Sequence, residues 1–339
     1  MKIDMNSAEG ENNGVLPATS REQLPTDNQL LISAFAPATV ANVVCGFDVF
    51  GFAVENPGDV VHARWSDKPG VTITNIEKDG GLLPRDSEKN TAGVAAIQLL
   101  KAAGIQQGVE IELVKNLPLG SGMGSSASSA VASVVAVNQL AGNPFQKKEL
   151  LPFVMEAERI ACGSAHADNV APSLLGGFIL VRSYHPLDIV TIPFPEYLIC
   201  VLVHPHIELK TKDARQLLKP TLLLRDAVQQ WGNTAGMVAG LMKQDDELIA
   251  RSMVDLVAEP ARSMLIPGYD EVKRAAKEAG SLGCGISGSG PTMFALCTKA
   301  SVSDHVGKAM MQVFEKAGLN SEMYISKLNH EGARVIGSW

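Results

Sequence analysis

Between residues 109 and 140 the chain passes from a strand pattern, through a glycine–serine loop, into a helix pattern. Val109, Ile111 and Leu113 alternate with Glu110 and Glu112, the period of a half-buried strand. The loop reads Pro118-Leu119-Gly120-Ser121-Gly122-Met123-Gly124-Ser125-Ser126-Ala127-Ser128, and an Ala/Val-rich stretch follows to about Leu140. Glycines let a backbone approach a ligand closely. The helix start adds free N–H groups and a partial positive charge. Together these predict an anion site, most often for phosphate. The Ser125 and Ser126 hydroxyls could bind phosphate or a magnesium ion. The plain alternative is a tight strand–helix turn with glycines for packing. Two standard phosphate loops are excluded. No Lys follows the glycines as GxxxxGK[ST] requires, and the third glycine of GxGxxG would fall on Ser125.

The rest of the chain frames this loop. With 46% apolar and 19% charged residues among 339, it can bury a large core, which excludes wholesale disorder. A net charge of −7 lacks the footprint of a nucleic-acid binder, so no nucleic-acid partner is expected. The five cysteines have no CxxC spacing, which argues against zinc and disulfide frameworks and fits a cytoplasmic location. No run is long and apolar enough for a bilayer span, so no membrane partner is expected. Residues 1–28 are polar and read as a flexible, dispensable extension. Strands are expected at 30–35, 48–54, 60–65 and 71–74, with turns at Pro37 and at Asn56-Pro57-Gly58-Asp59. Asn90 and Gly104 bound a helix. Short strands are expected at 177–182 and 199–204. Helices are expected at 213–219, 221–241, 247–257 and 269–279. A second glycine cluster, Gly283 to Thr292, leads into a strand at 293–297.

The segment Pro118–Ser128 resembles the PxGxGLGSSAA block of the GHMP kinases, with Met123 for Leu and Ser128 for Ala. Gly283–Phe294 resembles a second block of that family, GxxxSGSGPTxF. Pro37-Ala38-Thr39-Val40-Ala41-Asn42, continuing through Gly46-Phe47-Asp48, resembles PATxANLGPGFD of its homoserine kinase branch, with Val43-Val44-Cys45 in place of LGP. Gly163-Ser164-Ala165-His166-Ala167-Asp168-Asn169-Val170-Ala171-Pro172 resembles GSxHxDNVAP of the same branch. The resemblance covers roughly residues 30–339. It implies an α+β, two-domain fold, with a ribosomal-S5-domain-2-like N-terminal half over 29–195 and a ferredoxin-like α/β sandwich over 196–339.

The resemblance also implies an activity, ATP-dependent phosphorylation of the L-homoserine hydroxyl to O-phospho-L-homoserine, with ATP and Mg2+. A homodimer is expected. Residues 118–128 and Thr211 would hold the nucleotide. Ser126 and Glu158 would hold magnesium. An amino-acid substrate asks for cations on its carboxylate and an acceptor for its ammonium. Arg215 and Arg262 would supply the first and Asp48 the second, with Asn42 and His166 lining the site. Asn169 and Asp168 would stand at the reacting hydroxyl, and whether Asp168 acts as a base is open. Two alternatives also remain open at this stage: a kinase of another small alcohol, such as mevalonate or a sugar, and a non-catalytic nucleotide-binding regulator.

Overall fold

The turn signal Asn56-Pro57-Gly58-Asp59 does not end its strand. In the computed structural model, which describes residues 30–209 and 211–339, β1 (Leu31–Ala41) pairs antiparallel with one long strand, β2 (Phe50–Ser66). The expected extension over 1–28 lies outside the described residues. Pairing jumps from Pro37↔Gly58 to Thr39↔Ala53, so residues 54–57 bulge out opposite Ala38. Gly58 permits this, because a Cβ there would lie 2.3 Å from the Ala36 carbonyl oxygen. Asp59 beside it is fully buried and accepts from the backbone N–H groups of Asn116 and Leu117 at 3.0 and 3.1 Å. The turn expected at Pro37 is likewise a register shift inside β1.

β3 (Val71–Glu77) leads to α1 (Thr91–Ala103). Asn90 caps α1 by accepting from Ala92 N at 3.0 Å, and Gly104 closes it in the left-handed region. Next come β4 (Gly108–Val114), α2 (Ser125–Leu140), α3 (Leu151–Cys162), α4 (Ala167–Leu175), β5 (Phe178–Tyr184) and β6 (Leu187–Ile192). Then follow β7 (Ile199–Pro205), α5 (Thr211–Gln216), α6 (Leu224–Lys243), α7 (Asp246–Ser252), α8 (Glu259–Arg262) and α9 (Tyr269–Glu278). The chain ends with β8 (Gly283–Ile286), β9 (Met293–Cys297), α10 (Ala300–Lys316), β10 (Ser321–Lys327) and β11 (Arg334–Ser338). The helix expected at 247–257 stops at Ser252. Asp255 draws the next backbone amides into a cap instead, accepting from Val257 N at 2.9 Å and Ala258 N at 2.9 Å.

Two sheets result. The larger runs β11-β1-β2-β4-β3, with β5 and β6 attached through β2, and only β3 and β4 pair in parallel. The smaller runs β10-β7-β9-β8, all antiparallel. Residue 195 lies between β6 of the first sheet and β7 of the second, and the closing strand β11 returns to the first. Helices α1 to α4 pack with the larger sheet around a core that includes Trp65, Ile111, Leu99 and Val134. α9 and α10 pack on the smaller sheet around Val203, Met310 and Phe314. A third cluster joins the sheets. Phe178 lies 5.3 Å from Phe50 and 5.9 Å from Phe52, and Phe52 meets Phe294 of β9 edge-on at 6.0 Å. Among the described residues no helix is long and apolar enough to cross a membrane.

Phe178 is fully buried at this junction. Phe178→Ala is expected to cost about 3–5 kcal/mol. Chemical denaturation of the variant and the parent checks this as a lower midpoint.

Candidate active site

Residues of both glycine clusters line a cavity of about 630 Å³. Gly120, Gly122 and Gly124 all have left-handed φ, at 62°, 79° and 69°. At two of them space as well as φ demands glycine. A Cβ on Gly122 would lie 2.4 Å from Ser287 O, and one on Gly124 would lie 2.1 Å from Thr39 Oγ1. The clusters are stitched together. Ser287 Oγ donates to Gly122 O at 2.8 Å, and Thr292 N donates to Ser121 O at 3.1 Å. The loop opens onto the N-terminus of α2, whose cap residue is Gly124. Leu119, Gly120, Ser121, Gly122, Gly124, Ser125 and Ser126 line the cavity. Pro118, Met123, Ala127 and Ser128 do not. Met123 and Ala127 are buried in core clusters, and Ser128 Oγ donates to Ala36 O at 2.7 Å. The motif is thus part cavity wall and part packing.

Lys115, which sequence reasoning missed, organises this end. It is 4% exposed and forms a buried ion pair with Asp59. Its ammonium also donates to Ser125 O at 3.0 Å, Ser125 Oγ at 2.7 Å and Ser129 Oγ at 2.9 Å. Ser129 Oγ donates in turn to Asp59 at 2.8 Å. The Ser125 hydroxyl is therefore engaged in this network, although its residue lines the cavity.

The other end is built on the segment after β1. Asn42, Val43, Val44 and Asp48 all have positive φ, at 68°, 42°, 60° and 58°. Left-handed backbone costs L-residues about 1–2 kcal/mol each, and β-branched residues rarely adopt it. Asn42 stabilises the turn. Its Oδ1 accepts from Asp48 N at 3.0 Å, and its Nδ2 donates to Gly288 O at 2.8 Å. The turn places Asp48 in the cavity wall, with Phe47 beside it. Arg215 of α5 grips Asp48 at 2.5 and 3.3 Å. Arg262, at the end of α8, is 4% exposed and donates to Gly288 O at 3.0 Å. Both guanidinium carbons lie over the Phe47 ring, at 5.7 and 5.3 Å from its centroid. Nothing local in the sequence marked Phe47 for this place.

His166 and Asn169 complete the wall. Burial holds the His166 imidazole below its ordinary value, with Arg215 and Arg262 adding to the effect and Asp48 opposing it. Its Nε2 shares a 2.7 Å hydrogen bond with Ser164 Oγ. Asn169 Oδ1 accepts from Thr39 Oγ1 at 2.8 Å, so its orientation is fixed from β1. Asp168, on the first turn of α4, is 2% exposed, and its Oδ1 has no hydrogen-bond partner among the described residues. Burial, reinforced by the Asp48 charge, pushes its carboxyl up to about 7.

Glu158 of α3 is 3% exposed and lines the same cavity as Ser126. Among the described residues, no group of three His, Cys, Asp or Glu is arranged to hold a metal. A carboxylate and a hydroxyl nevertheless suit magnesium, which needs only one or two protein oxygens. The Thr211 side chain lies outside the described residues. Leu82, Leu83, Pro84 and Glu208 also line the cavity and had no sequence signal, and Ser289 lines it from the second glycine cluster.

Asp168 gives a pH test. Its folded-state value lies above the ordinary 3.8, so the folded protein binds the proton more tightly than the unfolded chain. Its contribution to stability is greatest below 3.8 and declines as the pH rises towards about 7. Asp168→Asn is expected to exceed the parent in stability at pH 8 and to lose that margin near pH 4. Urea denaturation of both proteins at both pH values checks this.

The comparisons with known proteins agree with one another. The GHMP kinases N terminal domain profile matches residues 90–177, and the GHMP kinases C terminal profile matches residues 237–316. A homoserine kinase of Chlorobium phaeobacteroides is 50% identical over 317 residues, 90% of this chain and 99% of that protein. One of Chloroherpeton thalassium is 51% identical over 316 residues, again 90% of this chain and 99% of that protein. The crystal structure of a homoserine kinase from Cytophaga hutchinsonii superposes with a TM-score of 0.89 at 56% identity, covering 94% of this chain and 100% of that one. A mevalonate kinase of L. major shares the fold alone, at a TM-score of 0.66 and 16% identity, over 87% of this chain and 95% of that one. The chain has the two-domain GHMP kinase fold, and it belongs to the homoserine kinase branch of the GHMP kinase family.

Proposed function

We propose that the protein transfers the γ-phosphoryl group of ATP to the side-chain hydroxyl of L-homoserine, giving O-phospho-L-homoserine for threonine biosynthesis. The observation that carries the proposal is the Asp48–Arg215 pair beside Arg262, set in one cavity with the glycine loop. A zwitterion reproduces that charge pattern: its ammonium replaces Arg215 at Asp48, and its carboxylate takes both guanidinium groups. The names of the similar kinases support the same substrate. Residues 29–195 and 196–339 are taken as the two domains, with β11 returning to the first sheet. Among the described residues Cys45, Cys200, Cys284 and Cys297 are buried free thiols, which accords with a cytoplasmic enzyme, taken to act as a homodimer.

In this mechanism the backbone amides of 120–126 and the α2 N-terminus bind the triphosphate. Leu82, Leu83 and Pro84 offer the base an apolar surface. Thr211 is assigned to the nucleotide side. Ser126 and Glu158 would hold magnesium, which when bound neutralises phosphate charge. Asn42 and His166 line the amino-acid end, and His166 acts as a neutral imidazole. Asn169, held by Thr39, orients the hydroxyl for in-line attack. Asp168 near neutrality can take up the hydroxyl proton as it is lost. Positioning and electrostatic stabilisation supply most of the rate.

ADP release with homoserine, mevalonate and galactose tested side by side decides the substrate. Homoserine alone is expected to support turnover, and equal rates with mevalonate would sink the proposal. Arg215→Lys keeps the charge and removes the planar fork. Losing one charge-assisted hydrogen bond, about 1.5–3 kcal/mol, lowers homoserine kcat/KM roughly 10- to 150-fold. The KM for ATP is expected to stay near the parent value. Steady-state kinetics with each substrate varied in turn checks both expectations.

A further inference from the structure

Consecutive left-handed residues need restraint from outside their own segment. For Asn42, Val43 and Val44 that restraint arrives at Cys45. Its carbonyl oxygen accepts from Gln230 Nε2 at 2.9 Å and from Thr234 Oγ1 at 2.8 Å. Both donors stand on α6, one turn apart. Gln230 is only 7% exposed and does not line the cavity.

The same carboxamide reaches the opposite wall of the site. Gln230 Nε2 also donates to Asp255 Oδ1 at 3.0 Å, and Oε1 accepts from Leu256 N at 2.9 Å. Asp255 Oδ2 accepts from Ala258 N at 2.9 Å and Glu259 N at 2.7 Å, so it anchors the start of α8. That helix ends in Arg262, which donates to Gly288 O at 3.0 Å. Gly288 O also accepts from Asn42 Nδ2 at 2.8 Å. These bonds, together with the chain segments 255–262 and 42–45, close a ring that runs Asn42, Gly288, Arg262, Asp255, Gln230, Cys45 and back to Asn42. Gly288 clasps it at one side and Gln230 at the other.

We infer that Gln230 is a positioning residue, which holds the Asn42–Asp48 turn and the Arg262 helix at the separation the substrate requires. Its role rests on the proposed use of Asp48 and Arg262 for the two charged ends of homoserine. Only an amide fits the position. It offers one N–H to each wall and one acceptor to Leu256, whereas a carboxylate would confront Asp255.

The test is Gln230→Met in the full chain, which keeps the length and removes all three bonds. The KM for homoserine is expected to rise about 10-fold or more while that for ATP stays within about 2-fold. Hydrogen exchange is expected to quicken together at 42–48 and 255–262. Phe314→Leu, a fully buried change in the smaller sheet's core, is the matched control. It should lower the melting temperature without moving either KM. An unchanged homoserine KM, or equal rises in both KM values, would overturn the role. Thr234→Val serves if Gln230→Met does not fold. Loss of one of the two Cys45 donors should raise the homoserine KM about 3-fold with ATP unaffected, and no rise would count against the tie. If the parent itself fails to turn over homoserine, the proposed function falls. Hydrogen exchange then decides the tie alone, with joint acceleration supporting it and none overturning it.

Discussion

The buried Lys115–Asp59 pair holds the glycine-loop end of the cavity together. Lys115 stands where the glycine loop leaves β4, and the same ammonium binds the carbonyl and hydroxyl of Ser125, where the loop enters α2. One side chain therefore fixes both ends of the loop. Asp59 adds the backbone N–H groups of Asn116 and Leu117 and so ties the loop to β2. Burying two charges is costly, and removing one partner of such a pair typically costs about 3–5 kcal/mol. The additional hydrogen bonds on both ions offset the desolvation. A loop whose mouth is held at a set width presents its amides without having to order them on binding.

The Asp48 end of the cavity, proposed above to take the amino acid, uses a different device. Asp48 and Arg215 pair in a partly solvated setting, and exposed pairs contribute little to stability. A zwitterion can therefore separate them at small cost. Arg262 is buried and held by backbone carbonyl oxygen, so its desolvation is met on folding rather than on binding. The Phe47 ring lies 5.7 Å from the Arg215 guanidinium carbon and 5.3 Å from that of Arg262, so it contacts both cations. Asp168 sits one residue from Asn169, and its burial together with the Asp48 charge raises its carboxyl towards neutrality.

Much of this was legible from residue order. The glycine loop, the Asn90 cap, the Gly104 stop and the strand at 109–113 lie where local chemistry puts them. Asn42, Asp48, Glu158, His166, Asp168, Asn169, Arg215 and Arg262 line one cavity, although more than 200 positions separate the first from the last. The motif blocks carried that grouping. They did not separate the residues that face the cavity from those that pack behind it. Met123, Ala127 and Ser128 belong to the same block as Gly120 and Ser126 yet point into the core.

What stayed illegible was long-range pairing. A lysine after a strand, an aspartate in a turn signal and a glutamine inside a helix carry no local mark of partners 56, 70 or 185 positions away. Turn propensity at 56–59 lost to sheet pairing because Asp59 gains more from Lys115 and two backbone amides than a free turn offers. Helix propensity past Ser252 lost to the Asp255 cap for the same kind of reason. Glycine positions, caps and strand alternation are decided within a few residues, by sterics and by the nearest hydrogen-bond partner. Which charges meet is decided only by tertiary pairing: β2 against β4 sets Asp59 beside Lys115, and the packing of the two sheets through Phe52 and Phe294 brings Arg215 to Asp48.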